Sequence, residues 1–274
     1  MDRRSFFRQG AQAALAAGIL QRLEGAELLA QRLAPPSEFA RLRDRYFVRV
    51  LQLNPVTATY LGGDAYSPQL RDVNTRLRDF RPAAIEQELQ FYRLIKSASD
   101  AMDTAGLTPE ERIDREVLGA QLSFIIHQLG DLRYHQRSVD TYVQEPFRGV
   151  DWQIQQMADA GGGLLGTQAE WEMVVRRVGA IPAYLEVART NLLAGKAAGN
   201  LPDWRMVARD GVAGSRSNAD YFRATLPDLA RRLVGRRAFG AATLPRVAAA
   251  AARAAAAATR GSVAAPNARR PTSL

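Results

Sequence analysis

PAAIEQELQFYRLI, residues 82–95, is the stretch from which the fold class follows most directly. Pro82 suits the first position of a helix, where its missing N–H would have no helical partner in any case. The apolar side chains after it recur at steps of four and three residues, at Ile85, Leu89, Tyr92 and Ile95. This spacing predicts a helix with one face buried against the rest of the protein.

The segment before this helix repeats the pattern. Pro35-Pro36 breaks the chain, and Ser37 is placed to cap a helix that runs through Leu53. Asn54-Pro55 then starts the chain again. The predicted buried stripe of this helix is Phe39, Leu42, Tyr46, Val50 and Leu53.

A capping box predicts the start of the next helix. In Thr108-Pro109-Glu110-Glu111 the threonine and the second glutamate can each satisfy a backbone N–H of the first turn. Apolar positions follow at helical spacing, so we expect a buried stripe made of Ile113, Val117, Ala120 and Phe124. The helix that begins at Pro82 and the helix that begins at Pro109 are expected to be antiparallel partners.

Further along, prolines and glycines predict shorter helices. We expect a loop around Glu145-Pro146, and then a helix from Trp152 to Ala160 that ends at three glycines. The next predicted elements are a helix capped by Thr167 and Glu170 through Val178, one from Ile181-Pro182 to about Ala194, a connection ending at residues 200–202, and a last helix starting at Ser217 with Asp220. No alternating strand pattern bounded by turns is found. The predicted fold class is all-α, a helical bundle with long connections.

The net charge of +9 is concentrated at one end of the chain. Residues 229–274 contain nine arginines and no acidic residue, and without them the 37 basic residues become 28, which balances the 28 acidic ones. An arginine-rich tail on a neutral body predicts non-specific adhesion to anions rather than a specific nucleic-acid partner. The chain has no cysteine, which excludes disulfides, a thiolate nucleophile and cysteine-ligated metal.

The two ends of the chain differ from its middle. Residues 1–34 contain Arg3, Arg4 and Phe6 before a mildly apolar run, which is typical of a twin-arginine export signal and predicts the periplasm or cell envelope. That run is too short to span a membrane, and an amphipathic first helix is the alternative. Residues 234–274 are rich in Ala and Arg, with almost nothing to bury, so we expect this tail to be disordered or the product of a frameshift.

Candidate catalytic and binding residues are few. His127 and His135 are the only histidines, and eight positions on a helix would separate them by about 12 Å, too far to share one ion. The acidic pairs at 86 and 88, 110 and 111, and 114 and 116 are expected at helix starts or on polar faces. Gly161, Gly163 and Gly166 satisfy G-x-G-x-x-G, but they follow a helix, so a helix connection is the expected role. We assign no catalytic, metal or cofactor-binding residue.

Several short stretches resemble one bacterial family. They are PVTATYLGG from residue 55, RGVDW from 148, DAGGG from 159, GTQAEWE from 166, AIPAYLEVARTNL from 180, AGNLPD from 198 and NADYFRATLP from 218. The resemblance is to domain of unknown function 885 (DUF885), and it runs from about Ser37 to Leu233. Full-length members resemble zinc peptidases with an H-E-x-x-H motif, which this chain lacks.

The resemblance implies that residues 35–233 are the amino-terminal helical half of a zinc-dependent hydrolase or peptidase. That half would be incomplete relative to the family fold and inactive alone, because the metal-binding half is absent. Zinc and a peptide substrate are implied for full-length relatives, with Trp152, Trp171, Trp204 and Tyr221 as expected lining of the substrate cleft. The alternative is a non-enzymatic, exported helical module that binds a partner in the cell envelope.

Overall fold

The computed structural model describes residues 36–160, 166–234 and 243–263. Within these ranges the chain is helical and contains no strand, which confirms the all-α prediction. The helices are α1 (Glu38–Leu53), α2 (Pro55–Leu61), α3 (Pro82–Asp100), α4 (Pro109–Gly130), α5 (Val139–Ala160), α6 (Gln168–Ala197), α7 (Trp204–Met206), α8 (Gly214–Asp220), α9 (Leu226–Val234) and α10 (Thr243–Val263). Two π-helical segments, Val207–Ala213 and Tyr221–Thr225, connect α7 to α8 and α8 to α9.

Three predicted helix caps are confirmed. The Ser37 hydroxyl accepts a hydrogen bond from the Ala40 N–H at the start of α1. Thr108 and Glu111 form the capping box of α4, and Thr167 and Glu170 form that of α6. Each cap satisfies backbone donors that have no partner within their helix, and this fixes where the helix begins.

The first core lies between α1, α3, α4 and the second half of α6. The predicted stripes of α1 and α3 are both confirmed, since every member is buried or partly buried in this core. Its buried side chains include Phe39, Leu42, Ile85, Leu89, Tyr92, Ile95, Leu118, Leu122, Leu129, Tyr142, Tyr184 and Ala188.

The predicted buried stripe of α4 is wrong. Ile113, Val117 and Phe124 are 63%, 51% and 59% exposed, whereas Leu118, Leu122 and Leu129 are buried. Both sets of side chains have helical spacing, so periodicity alone could not decide between them. The leucine stripe is buried because it is the one that faces α3 in the first core. The other stripe leaves an apolar face in contact with solvent.

The helix breaks predicted at two prolines are also wrong. Pro146 lies inside α5 and Pro182 inside α6, and the expected helix start at Ser217 lies within α8. A proline within a helix costs about 3 kcal/mol because it removes one hydrogen bond and crowds the preceding turn. Buried side chains precede and follow each proline; in α5 these are Tyr142 and Val150. The packing of these side chains offsets the cost of the proline.

The second core contains the alanine-rich helix α10. Val247, Ala250, Ala251, Ala254 and Ala255 are buried against α6 and the end of the 204–234 run. The partners on that side include Trp171, Val174, Val178, Phe222 and Leu226. The prediction of a disordered tail with nothing to bury is therefore wrong for residues 243–263, because small side chains allow α10 to approach its larger neighbours closely.

The export-signal residues Arg3, Arg4 and Phe6 lie outside the described residues, as do Gly161 and Gly163. Gly166 is described and has a positive φ of 76°, directly before the capping box of α6. Across the described ranges, no helix is both long enough and apolar enough to cross a membrane.

Candidate functional site

Residues 76–80 form an irregular segment that is held by three side chains from α5 and α6. The Arg177 Nε donates to the Arg76 carbonyl at 3.0 Å, and the Asn191 Nδ2 donates to the Phe80 carbonyl at 2.8 Å. Between them, the Arg78 N–H donates to the Glu145 Oε1 at 3.0 Å. Buried backbone groups outside regular structure need such partners, so side chains of α5 and α6 fix the course of the 76–80 segment.

Arg177 of α6 is fully buried and connects four parts of the chain. Besides the Arg76 carbonyl, its guanidinium donates to the carbonyls of Val73 and Gly149 and to the side chains of Thr59 and Gln153, at 2.6 to 3.2 Å. All five N–H donors of the guanidinium are therefore satisfied. No ion pair to Arg177 is found among the described residues. Burial lowers the pKa of Arg177 to about 9, so its charge is retained at neutral pH.

A second polar cluster surrounds Arg78. Its Nη2 donates to both carboxylate oxygens of Glu88, at 2.8 and 3.0 Å, and its Nη1 donates to the Asn54 Oδ1 at 2.7 Å. The Glu88 Oε1 also accepts from the Tyr92 hydroxyl at 2.9 Å. The guanidinium lies 4.8 Å from the centre of the Phe80 ring. Glu88 is buried in this cluster, so the expectation that it lies on a polar helix face is wrong.

Glu145 belongs to the same cluster. Its Oε2 accepts from the Tyr184 hydroxyl at 3.0 Å, while its Oε1 accepts from the Arg78 N–H. Burial raises the pKa of Glu145 above its ordinary value of 4.5, and the nearby charge of Arg78 opposes that rise only in part. Burial likewise raises the pKa of Tyr184 well above 10.0.

The raised pKa of Glu145 predicts a pH dependence of stability. The folded protein binds this proton more tightly than the unfolded chain, so the contribution of Glu145 is fully present below about pH 4.5 and is lost as the pH rises through the folded-state pKa. Urea unfolding at about pH 5 and pH 8 should therefore show a larger loss of stability in the wild type than in Glu145→Gln. The exposed replacement Glu86→Gln on α3 should keep the wild-type difference. An unchanged pH dependence in Glu145→Gln would contradict the assignment.

An open cleft of about 580 Å³ lies beside these clusters. We name it the arginine cleft. Its walls come from α1, residue 55 of α2, the 76–80 segment with its neighbours, α3 and α6. The lining residues are Arg49, Gln52, Leu53, Pro55, Thr75, Arg76, Leu77, Arg78, Asp79, Phe80, Arg81, Ala84, Gln87, Ala180, Ala183, Tyr184 and Val187.

The described residues that the sequence suggested for a substrate cleft do not line the arginine cleft. Trp152 packs on Tyr60 with their rings 4.6 Å apart, and Trp171 is fully buried in the second core. Trp204 is 42% exposed on α7, and the Tyr221 ring packs edge-on against Phe147. Trp171 and Tyr221 both belong to the second core, so the structure does not bring the four aromatic residues together at one cleft.

The described residues do not gather a zinc ligand set. His127 is exposed on α4, and its Nδ1 lies 2.8 Å from the Asp131 Oδ2. His135 is buried in a 3-10 turn, Tyr134–Gln136, and not on the same helix. Zinc needs about three protein ligands at one point, and within the described ranges no group of three histidine, aspartate or glutamate side chains provides them.

The residues that shape the cleft were not found from the sequence, although one signal was present. Arg177 stands on the same helical face as Trp171, Val174 and Ile181, which are all buried. An arginine on an apolar stripe is a candidate for a buried, fully hydrogen-bonded cation. Glu145 and Arg78 gave no such signal, because Glu145 falls in the predicted loop at Glu145-Pro146 and Arg78 falls outside the predicted helices.

Comparison with protein-family models gives a match over most of the chain. A family model described as "Bacterial protein of unknown function (DUF885)" matches residues 55–269. The match runs through α10 and past Leu233, where the resemblance was expected to end. A search of curated proteins gives no match.

Proposed function

The chain belongs to the DUF885 family of bacterial proteins of unknown function, and we propose that it binds a peptide ligand in the arginine cleft. The observation that carries this proposal is the cleft itself. Its volume of about 580 Å³ lies within the range of small-ligand sites, and polar or charged side chains make up about half of its lining, with apolar side chains as the rest. The resemblance of the family to peptidases supports a peptide as the ligand.

Fixed walls support binding at this position. Arg177, Glu145 and Asn191 hold the backbone of the 76–80 segment through hydrogen bonds of 2.8 to 3.0 Å. A site whose walls are already in place loses less conformational entropy when the ligand binds. The segment therefore presents its side chains to the cleft from a defined backbone.

In this proposal the described helices contribute binding and no chemical step. Zinc-dependent hydrolysis is a second candidate, and it is supported by the resemblance alone. It would require a ligand set other than the described residues, because His127 and His135 do not meet. We further propose that the protein acts in the periplasm or cell envelope, on the basis of the pattern at Arg3, Arg4 and Phe6.

Filling the cleft tests the proposal. Ala183 of α6 lines the cleft and is exposed, so Ala183→Trp should occupy the space that the ligand needs. Isothermal titration calorimetry with a mixture of short N-acetylated peptides should detect binding to the full wild-type chain and loss of that binding in Ala183→Trp. Ala194→Trp, at an exposed position of α6 that does not line the cleft, should bind like the wild type. Binding that survives in Ala183→Trp, or no binding to the wild type, would refute the proposal.

A further inference from the structure

We infer that the arginine cleft recognises the carboxylate group of its ligand, chiefly through Arg49, Arg76 and Arg81. This inference rests on the proposed function for the peptide and adds the chemical group that is recognised. It begins with the charges of the lining residues, which are four arginines and one aspartate. The cleft wall therefore carries a formal excess of positive charge.

The four arginines differ in how far protein carboxylates already neutralise them. Arg78 is buried and forms a two-oxygen pair with Glu88. Arg76 pairs with Asp72 at 3.1 Å and Arg81 with Asp79 at 2.5 Å, and all four of these side chains are at least 41% exposed. Arg49 donates to the amide oxygen of Gln52 at 3.2 Å, and no ion pair to it is found among the described residues. Arg49 is thus the cleft arginine with the least compensated charge.

The surroundings favour an anion at this wall. Neither Glu88 nor Glu145 lines the cleft, and each is already engaged by Arg78. Leu77, Ala84 and Val187 give the lining an apolar portion, beside which an ion pair is screened less than in open water. A guanidinium presents a planar fork of N–H donors that matches the two oxygens of a carboxylate. Exposed pairs exchange partners at small cost, so Arg76 and Arg81 can turn to a bound ligand.

A substitution at Asp79 tests the inference, because it is expected to strengthen ligand binding and not to weaken it. It is the one acidic residue among the lining residues, it repels an anion, and it occupies Arg81. Its Oδ1 also accepts from the Arg81 N–H at 3.0 Å, a hydrogen bond that an asparagine can keep. Asp79→Asn should therefore strengthen binding of a carboxylate ligand. A substitution that only disturbed the fold would weaken binding instead.

The experiment compares acetyl-tetraalanine as the free acid with its C-terminally amidated form, titrated into the full chain by calorimetry. We expect the free acid to bind about tenfold more tightly, and Arg49→Gln or Arg81→Gln to weaken only the free acid, by roughly twofold to fivefold each. Asp79→Asn should strengthen only the free acid. Arg216→Gln, an exposed arginine of α8 outside the cleft, should match the wild type.

The outcomes separate this inference from the proposed function. Equal binding of acid and amide to the wild type would refute carboxylate recognition and leave peptide binding intact. Weaker binding in both Asp79→Asn and Arg49→Gln would also refute it. Binding of inorganic phosphate more tightly than the free acid would assign the arginines to another oxyanion. If neither peptide bound, the proposed function would fail as well.

Discussion

Replacing Arg177 by alanine is expected to lower the free energy of unfolding by about 3–5 kcal/mol. The substitution removes the donor from three backbone carbonyls, those of Val73, Arg76 and Gly149, at a fully buried position. Each buried acceptor that loses its partner costs about 1–3 kcal/mol, and the missing side chain also leaves a cavity. The Val73 and Arg76 carbonyls lie in one stretch of chain and the Gly149 carbonyl lies in α5, so the loss loosens the contact of this stretch with α5 and α6.

Urea unfolding of the wild type and two companion variants tests this expectation. Arg176→Ala changes the neighbouring, exposed arginine and should alter the free energy of unfolding by less than about 0.5 kcal/mol. Arg177→Lys keeps the charge but offers three donors without the planar fork, so it should lie between the wild type and Arg177→Ala. A loss below about 1 kcal/mol in Arg177→Ala would mean that the buried hydrogen bonds contribute little net stability.

Gly195→Ala is expected to lower the free energy of unfolding by about 1–3 kcal/mol, the second largest loss after that of Arg177→Ala. A Cβ atom at residue 195 would approach the backbone carbonyl of Gln136 to less than 3.0 Å, a separation that real Cβ contacts essentially never show. Gln136 belongs to a 3-10 turn whose backbone is held by a 2.8 Å hydrogen bond to the Arg133 carbonyl. Because the obstacle is backbone and not the end of a side chain, α6 or the turn has to move.

The same helix supplies a control of opposite sign. A Cβ atom at Gly179 would meet no atom within 4 Å, and the residue is exposed. Gly179→Ala should therefore stabilise the protein by about 0.5–1 kcal/mol, the usual gain from replacing glycine in a helix. Thermal unfolding followed by circular dichroism should show the two alanine variants on either side of the wild type. If Gly195→Ala were also stabilised, the close approach of α6 to the turn would be excluded.

Local chemistry made the helix starts predictable. Ser37, Thr108 and Thr167 each satisfy a first-turn donor within three residues, so the signal and its effect lie close together in the sequence. The helix breaks expected at Pro146 and Pro182 failed for the converse reason. The energy that carries a helix past a proline comes from packing against distant segments, which a local pattern does not contain.

The arginine cleft could not be predicted in the same way. Arg49, Arg81 and Ala183 come from three helices or their ends, and only the packed bundle brings them to one cleft. Composition was also misleading in the alanine-rich stretch. Few large apolar side chains indicate little burial in an average helix, but α10 lies against Trp171 and Phe222, whose size supplies the contact.

The alanine face of α10 has a consequence for how this protein can vary. At Ala250, Ala251 and Ala254 the buried side chain is already a single methyl group, so almost every substitution there enlarges it. Substitutions in a leucine core can increase or decrease side-chain volume. When the volume decreases, the loss of stability grows with the cavity that remains. At these alanines an increase in side-chain volume destabilises the protein, because added atoms push α10 away from α6. The alanine-rich helix α10 is therefore one of the segments of this protein that tolerate mutation least.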